Sequence, residues 1–332
     1  MKIKKLLWLL VAALLASCAG EGEKKEKKRI IVASKGLPSE LLLVVDRAVW
    51  GTDLQDTING IVEAQVPGLM QAEKMFRVTR IFSRDYSATH NTFHSKLYVK
   101  VDKTLNKPMM GILRNEYAKP QIELVVAAPT MDELREFLPR NGERIKEILA
   151  DAQVDMRVEL LRKKYSKKVN DDLHDVLGMT VRAPEHMKAT KKGENFLWGG
   201  TNLLEKDMNL VVYTYDWHGE DMSDKDLFVQ KRDSVMKKNI PGEREGQWMQ
   251  TVVENDQPIV LCKMRDMDGR KVLEARGLWE MRNGALGGPF VSISRVDTAA
   301  RKVIVGEGFV YSPSTDKRDL VRQMEAVLRT LK

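Results

Sequence analysis

Asp216, His218, Glu220 and Asp221 are the densest grouping of general acid and base side chains in the sequence. An imidazole flanked by carboxylates can move protons, and a loop following an apolar strand is a common place for such work. The same residues read more simply as an Asp/Gly-rich turn through Gly219 into a helix capped near Ser223. His90 and His94 have the spacing of a chelating pair on a helix, but they fall in a loop and at a strand start, where i and i+4 lie roughly 13 Å apart. His174 and His186 have no partner at ligand spacing. The sequence has no Gly-x-Ser-x-Gly elbow, no phosphate-cradling Gly-x-x-x-x-Gly-Lys-Ser/Thr, no His-Glu-x-x-His and no Cys-x-x-Cys. No metal site and no cofactor are expected.

Cys18 offers a different chemistry. Lys2, Lys4 and Lys5 precede an apolar run from Leu6 to Leu15, which closes in Leu15-Ala16-Ser17-Cys18. A charged start, a short apolar stretch and small residues before a cut make a secretory signal. The run is too short to cross a bilayer, which needs about 20 apolar residues. With a cysteine directly after the small residues, the segment resembles a bacterial lipobox. That resemblance implies that the Cys18 thiol takes diacylglycerol, that residues 1–17 are removed, and that the new amine is acylated, typically with palmitate. Several acyl chains, at about 0.8 kcal/mol per buried CH₂, hold a protein at a membrane without a spanning helix. Cys262 is then the last thiol, so no internal disulfide can form. It sits in the apolar run Ile259-Val260-Leu261-Cys262 and reads as a small core hydrophobe.

Charge says little about partners. The formal +8 owes much to the signal lysines and to Lys24, Lys25, Lys27, Lys28 and Arg29 in one short stretch, against Glu21, Glu23 and Glu26. The remaining body is nearly neutral. Arg162, Lys163, Lys164, Lys167 and Lys168 cluster on one helix and read as a solvated face, so no nucleic acid is expected.

Four segments follow from composition and periodicity. Residues 1–17 are the signal, 18–36 a flexible charged tether, 37–178 an amino-terminal α+β half ending in a long helix, and 179–332 a carboxyl-terminal α+β half with Gly-rich antiparallel strands. In the first half, strands are expected at Leu41 to Asp46, Met75 to Phe82, Phe93 to Val101 and Gln121 to Ala127. Helices are expected from Asp53 to Ala64 and after Pro129-Thr130. The spacing of Val154, Val158, Leu161, Tyr165, Val169, Leu173 and Val176 predicts one helix as far as Gly178, which suits a left-handed cap. The second half repeats the order: a strand at Asn209 to Tyr215, a helix from Asp224 to Lys238, strands from Gln247 onward, and a last helix after Pro313-Ser314. Val66-Pro67-Gly68 and Ile240-Pro241-Gly242 punctuate both halves alike, which suggests a duplication. The fold class is α+β, with antiparallel or mixed sheets and helices packed on one face, built either as two similar halves or as one body of unrelated halves.

The stretch from Ala275 to Pro313 is the most unusual. Gly277, Gly306 and Gly308 stand inside strands, where glycine marks a close approach by backbone, aromatic or ligand. Strand alternation puts Arg276 and Glu280 on one face with Trp279 on the other, and leaves Glu307 among Val305, Phe309 and Tyr311, where a carboxylate needs a cation. Arg276 is expected to supply it to Glu307 or Glu280. Arg276-Gly277-Leu278-Trp279-Glu280, Gly287-Gly288-Pro289-Phe290-Val291-Ser292 and Glu307-Gly308-Phe309-Val310-Tyr311-Ser312-Pro313, with Lys231-Arg232-Asp233-Ser234 upstream, resemble the bacterial lipoprotein family known as domain of unknown function 4837. Leu37 to Gly51 and Val66 to Leu69 extend the resemblance over the whole body.

The resemblance implies a cell-envelope lipoprotein of the Bacteroidota type and brings no activity with it. Arg276, Trp279, Glu280 and Glu307 are the candidate binding residues of a binding or scaffolding body. The membrane is reached through the lipid on Cys18, and another envelope protein is a candidate partner. Ala19 and Gly20 do not resemble an inner-membrane retention signal, so the outer membrane is the expected location. The alternative is an envelope hydrolase in which His218 and Glu220 work with Arg276, Glu280 and Glu307.

Overall fold

In the computed structural model, residues 31–332 are described; the signal segment, Cys18 and the tether as far as Ile30 lie outside the described residues. The chain joins the body at β1 (Val32–Ala33), earlier than the boundary expected after Gly36. The backbone explains the difference, since Lys35 N–H donates to Thr92 O at 2.8 Å and Lys35 O accepts from His94 N–H at 2.9 Å.

The amino-terminal part comprises β2 (Glu40–Val45), α1 (Leu54–Val62), β3 (Arg77–Phe82), β4 (Ser95–Val101), β5 (Met109–Arg114), β6 (Ala118–Lys119) and β7 (Ile122–Ala128). Strands β3, β2, β4 and β7 run parallel in that order, and β5 adds an antiparallel edge. Leu41 to Val45 are all buried, as a continuous apolar strand inside a parallel sheet must be. Leu41, Leu43 and Val45 join Leu97, Val99, Leu124 and Val126 beneath the helices. On the opposite face Lys96 and Glu123, adjacent in register, form a buried ion pair at 2.7 Å.

Helix α2 (Met131–Lys163) is capped by Thr130, whose Oγ1 accepts from Glu133 N–H, and it carries Asp132 and Glu133 in its first turn and Arg162 and Lys163 in its last. Its 33 residues span about 50 Å. Leu134, Leu138, Ile145 and Leu149 pack on the amino-terminal sheet, whereas Val154 and Leu161 pack in the core of the carboxyl part. One helix thus serves two cores.

The single helix expected from Val154 to Leu177 is broken. Lys164 is extended, and Ser166 caps α3 (Lys167–Leu177) by accepting from Val169 N–H while its own N–H is taken by Ala183 O. Gly178 ends α3 with φ +67°, as expected.

The carboxyl part continues with β8 (Ala189–Gly193), β9 (Phe196–Gly200), β10 (Asp207–Asp216), α4 (Lys225–Asn239), β11 (Met249–Thr251), β12 (Val253–Glu254), β13 (Gln257–Pro258), β14 (Val260–Met267), β15 (Arg270–Met281), β16 (Gly287–Asp297), β17 (Lys302–Tyr311) and α5 (Arg318–Arg329). Its main sheet is antiparallel in the order β11-β15-β16-β17-β10-β9-β8, with β14 also on β15. Helix α4 covers one face through Phe228 and Met236, and α3 and α5 cover the other through Val169, Leu173, Met324 and Leu328. The architecture is α+β. Helices lie on one face of the amino-terminal sheet, as expected, but on both faces of the carboxyl sheet.

The duplication fails. Strand β2, before α1, pairs in parallel with β3 and β4, whereas its counterpart β10, before α4, pairs antiparallel with β9 and β17. The shared order of elements and Pro-Gly turns does not extend to shared pairing.

Candidate functional site

Glu307 has its cation, but the cation is not Arg276. The register aligns Glu307 with Ser292 and Ser292 with Ala275, while Arg276 aligns with Val291 and Gly308. With a period of two, Glu307 and Arg276 stand on opposite faces of the sheet. The partner of Glu307 is Arg232 of α4, also fully buried: Nε donates to Oε2 at 2.9 Å and Nη2 to Oε1 at 2.8 Å. Nη1 of Arg232 donates to Asp233 Oδ1 and Thr251 Oγ1, each at 3.0 Å, and the guanidinium lies 4.1 Å from the Phe290 ring centre. Every donor edge is engaged, so the pair fixes α4 to the sheet.

The other predicted residues do not converge on it. Trp279 is in the core on the Glu307 face, its ring edge-on to Phe309 at 5.4 Å and its Nε1 donating to Val310 O at 3.3 Å. Glu280 is on the Arg276 face and accepts from Gln250 Nε2 at 2.9 Å. The hydrolase constellation is likewise not assembled. The β10 terminus that carries the His218 loop pairs at Lys302 and Asp297, three strands and six residues of register away from Arg276, on the order of 25 Å. Within that loop Glu220 accepts from His218 N–H at 2.7 Å, which holds its carboxyl below the usual range, and Asp221 accepts from Ser223. These are turn contacts. His90 Nδ1 meets Ser87, whereas His94 is buried against Leu37 O and Ser95 Oγ. No group of His, Cys, Asp or Glu among the described residues could hold a metal ion. Cys262 is half-buried rather than buried, and burial pushes its thiol up.

Arg276 leads to a cleft. It opens where the Arg276 face of β14 and β15 meets α2, closed at the sides by residues 64–67 and by α5, and has a volume of about 310 Å³. Val66, Pro67, Met75, Ala150 and Leu261 give it apolar walls. The turn bearing Val66-Pro67 is pressed onto the strand at Gly68, φ +79°, where a Cβ would stand 2.9 Å from Arg276 Cβ. Glycine is required there. Gly306 and Gly308 answer the close approach expected of them: Met324 and Leu328 of α5 fill the space their side chains would take.

Charged groups cross the cleft in an ordered ladder. Arg276 Nε donates to Glu274 Oε1 at 2.7 Å and Nη1 to Glu325 Oε1 at 2.5 Å. Arg265 bridges Glu274 and Asp151, Arg329 binds Asp151 and Asp155, and Lys263 reaches Glu147 at 2.6 Å. Burial alone would raise the Glu274 carboxyl, but Arg276 and Arg265 outweigh it and hold it below the usual range. Glu274 and Arg276 are therefore charged, the paired side chains are fixed in place, and they border an apolar patch in a space of the size that takes small ligands.

The sequence reading found Arg276 but missed Glu274, Arg322, Glu325 and Arg232. Arg232 had a signal, because Phe228, Arg232 and Met236 share one stripe at spacing four. Arg318, Arg322, Glu325 and Arg329 likewise form a charged stripe beside the apolar stripe of α5.

Residues 166–330 match the family model of domain of unknown function DUF4837. The resemblance expected over the whole body divides here, since residues 34–161 match a separate model, domain of unknown function DUF8532. The matched segments meet where α2 gives way to α3, and the cleft has walls from both. No curated protein matches the chain. Among solved structures, a mutant of the protein Mog1 is similar at 9% identity and a TM-score of 0.29, covering 46% of this chain and 89% of that one.

Proposed function

We propose that this is a lipid-anchored cell-envelope protein, held at the outer membrane by acyl chains on Cys18, whose body binds a small ligand in the cleft between residues 34–161 and 166–330. The observation that carries the binding reading is the cleft, in which an apolar patch of six residues is ringed by ten charged ones, most of them held in ion pairs. Catalysis would need an acid, a base and a nucleophile within reach of one another, and the His218 loop supports no such arrangement. The anchor rests on Leu15-Ala16-Ser17-Cys18. No helix of the described residues is long and apolar enough to cross a membrane.

Two measurements test this. Cys18→Ala removes the acyl acceptor and is expected to abolish labelled fatty-acid incorporation and to release the protein from the membrane fraction; unchanged fractionation would refute the anchor. For the cleft, the neutral fluorophore N-phenyl-1-naphthylamine is expected to brighten on binding the purified body. Ala150→Trp should fill the space and remove that signal. Equal brightening in the variant, or none in the parent, would refute the cleft as the binding site.

A further inference from the structure

Arg322 of α5 lines the cleft and is only 2% exposed. Its Nη1 donates to Ser39 Oγ at 3.0 Å, and its guanidinium lies 5.0 Å from the Phe76 ring centre. Its Nη2 is buried and has no hydrogen-bond partner among the described residues. The nearby carboxylates are engaged elsewhere: Glu325 by Arg276, Glu274 by Arg276 and Arg265, and Asp151 by Arg265 and Arg329. Burial pushes the Arg322 guanidinium down to about 10, with Glu325 opposing and Arg157 adding to the shift, so it is charged at neutral pH. A buried charged donor with no acceptor is costly, and the side chain that carries it lines a space large enough to admit one.

We infer that Arg322 is the anion-binding residue of the cleft, and that the ligand is a small amphiphile with one carboxylate or phosphate head for Nη2 and a short apolar tail for Val66, Pro67, Met75 and Leu261. This rests on the cleft being the binding site, as proposed above. A planar guanidinium fork suits the oxygens of either head. A cationic ligand would be repelled, and a neutral one would leave Nη2 without a strong acceptor.

The test displaces N-phenyl-1-naphthylamine from the body with decanoate, decyl phosphate and decanol. At least one anion is expected to displace the dye at about a tenfold lower concentration than decanol, as a charge-assisted hydrogen bond implies. The stronger of the two anions identifies the head. Arg322→Met should erase that preference, so that the anions and decanol displace the dye at similar concentrations. Because the comparison on the parent protein does not depend on the variant folding, equal displacement by all three would by itself overturn the anion site while leaving the cleft reading intact. Failure of the dye to bind would overturn both.

Discussion

Arg232→Ala is expected to lower the free energy of unfolding by about 3–5 kcal/mol, because it leaves the carboxylate of Glu307 fully buried without its cation. The variant also deprives Thr251 and Asp233 of a shared donor and loosens α4 over the aromatic cluster of Phe290 and Phe228. Urea unfolding followed by tryptophan fluorescence measures the loss. Replacing both partners, Arg232→Met with Glu307→Leu, should restore most of it, since an apolar pair of similar volume avoids the desolvation of two ions. A single-variant loss below about 1 kcal/mol would mean that Glu307 does not depend on Arg232 for its burial.

Local chemistry made much of this fold legible. The strands at Leu41, Gln121 and Asn209 are runs whose burial dictates their composition, and the caps at Thr130 and Gly178 are single-residue signals. Where the reading failed, the deciding information was non-local. Strand β5 carries Met109, Ile112 and Leu113 on an exposed edge, so no alternation marks it. The break at Lys164 depends on Ala183 accepting the Ser166 N–H, a contact across sequence that helical spacing cannot reveal. For the candidate site, alternation correctly placed Arg276 and Glu280 on one face and set Glu307 apart as a carboxylate in need of a cation. It could not name that cation, because the choice between Arg232 and Arg276 depends on the register of three strands and on which helix covers which face. Glu325 and Arg322 were hidden for a related reason: charged residues on an amphipathic helix usually mark water, whereas α5 turns this edge toward the amino-terminal part.

That contact sets up the second large effect. Asp319 at the start of α5 accepts from Ser39 Oγ at 2.6 Å and Arg157 Nη2 at 3.0 Å, and pairs with Arg77 at 3.1 Å and Arg318 at 3.3 Å. Ser39, Arg77 and Arg157 belong to the segment matching one domain model, and Arg318 and Asp319 to the segment matching the other. Asp319→Asn is expected to cost about 3 kcal/mol at pH 7, at the low end for broken buried pairs because the carboxylate is partly exposed. Burial would raise the Asp319 carboxyl, but the Ser39 hydrogen bond and the charges of Arg318, Arg157 and Arg77 outweigh it and hold it below the usual range. A carboxyl depressed in the folded state contributes stability that is complete above its unfolded value, about 3.9, and is lost as pH falls through the lower folded value. The gap between parent and Asp319→Asn should therefore be constant from pH 7 to about 5 and narrow below about 4. Urea unfolding across that range measures it. A gap that persists undiminished into strong acid would show that Asp319 holds the two segments together through packing and neutral hydrogen bonds rather than through its charge.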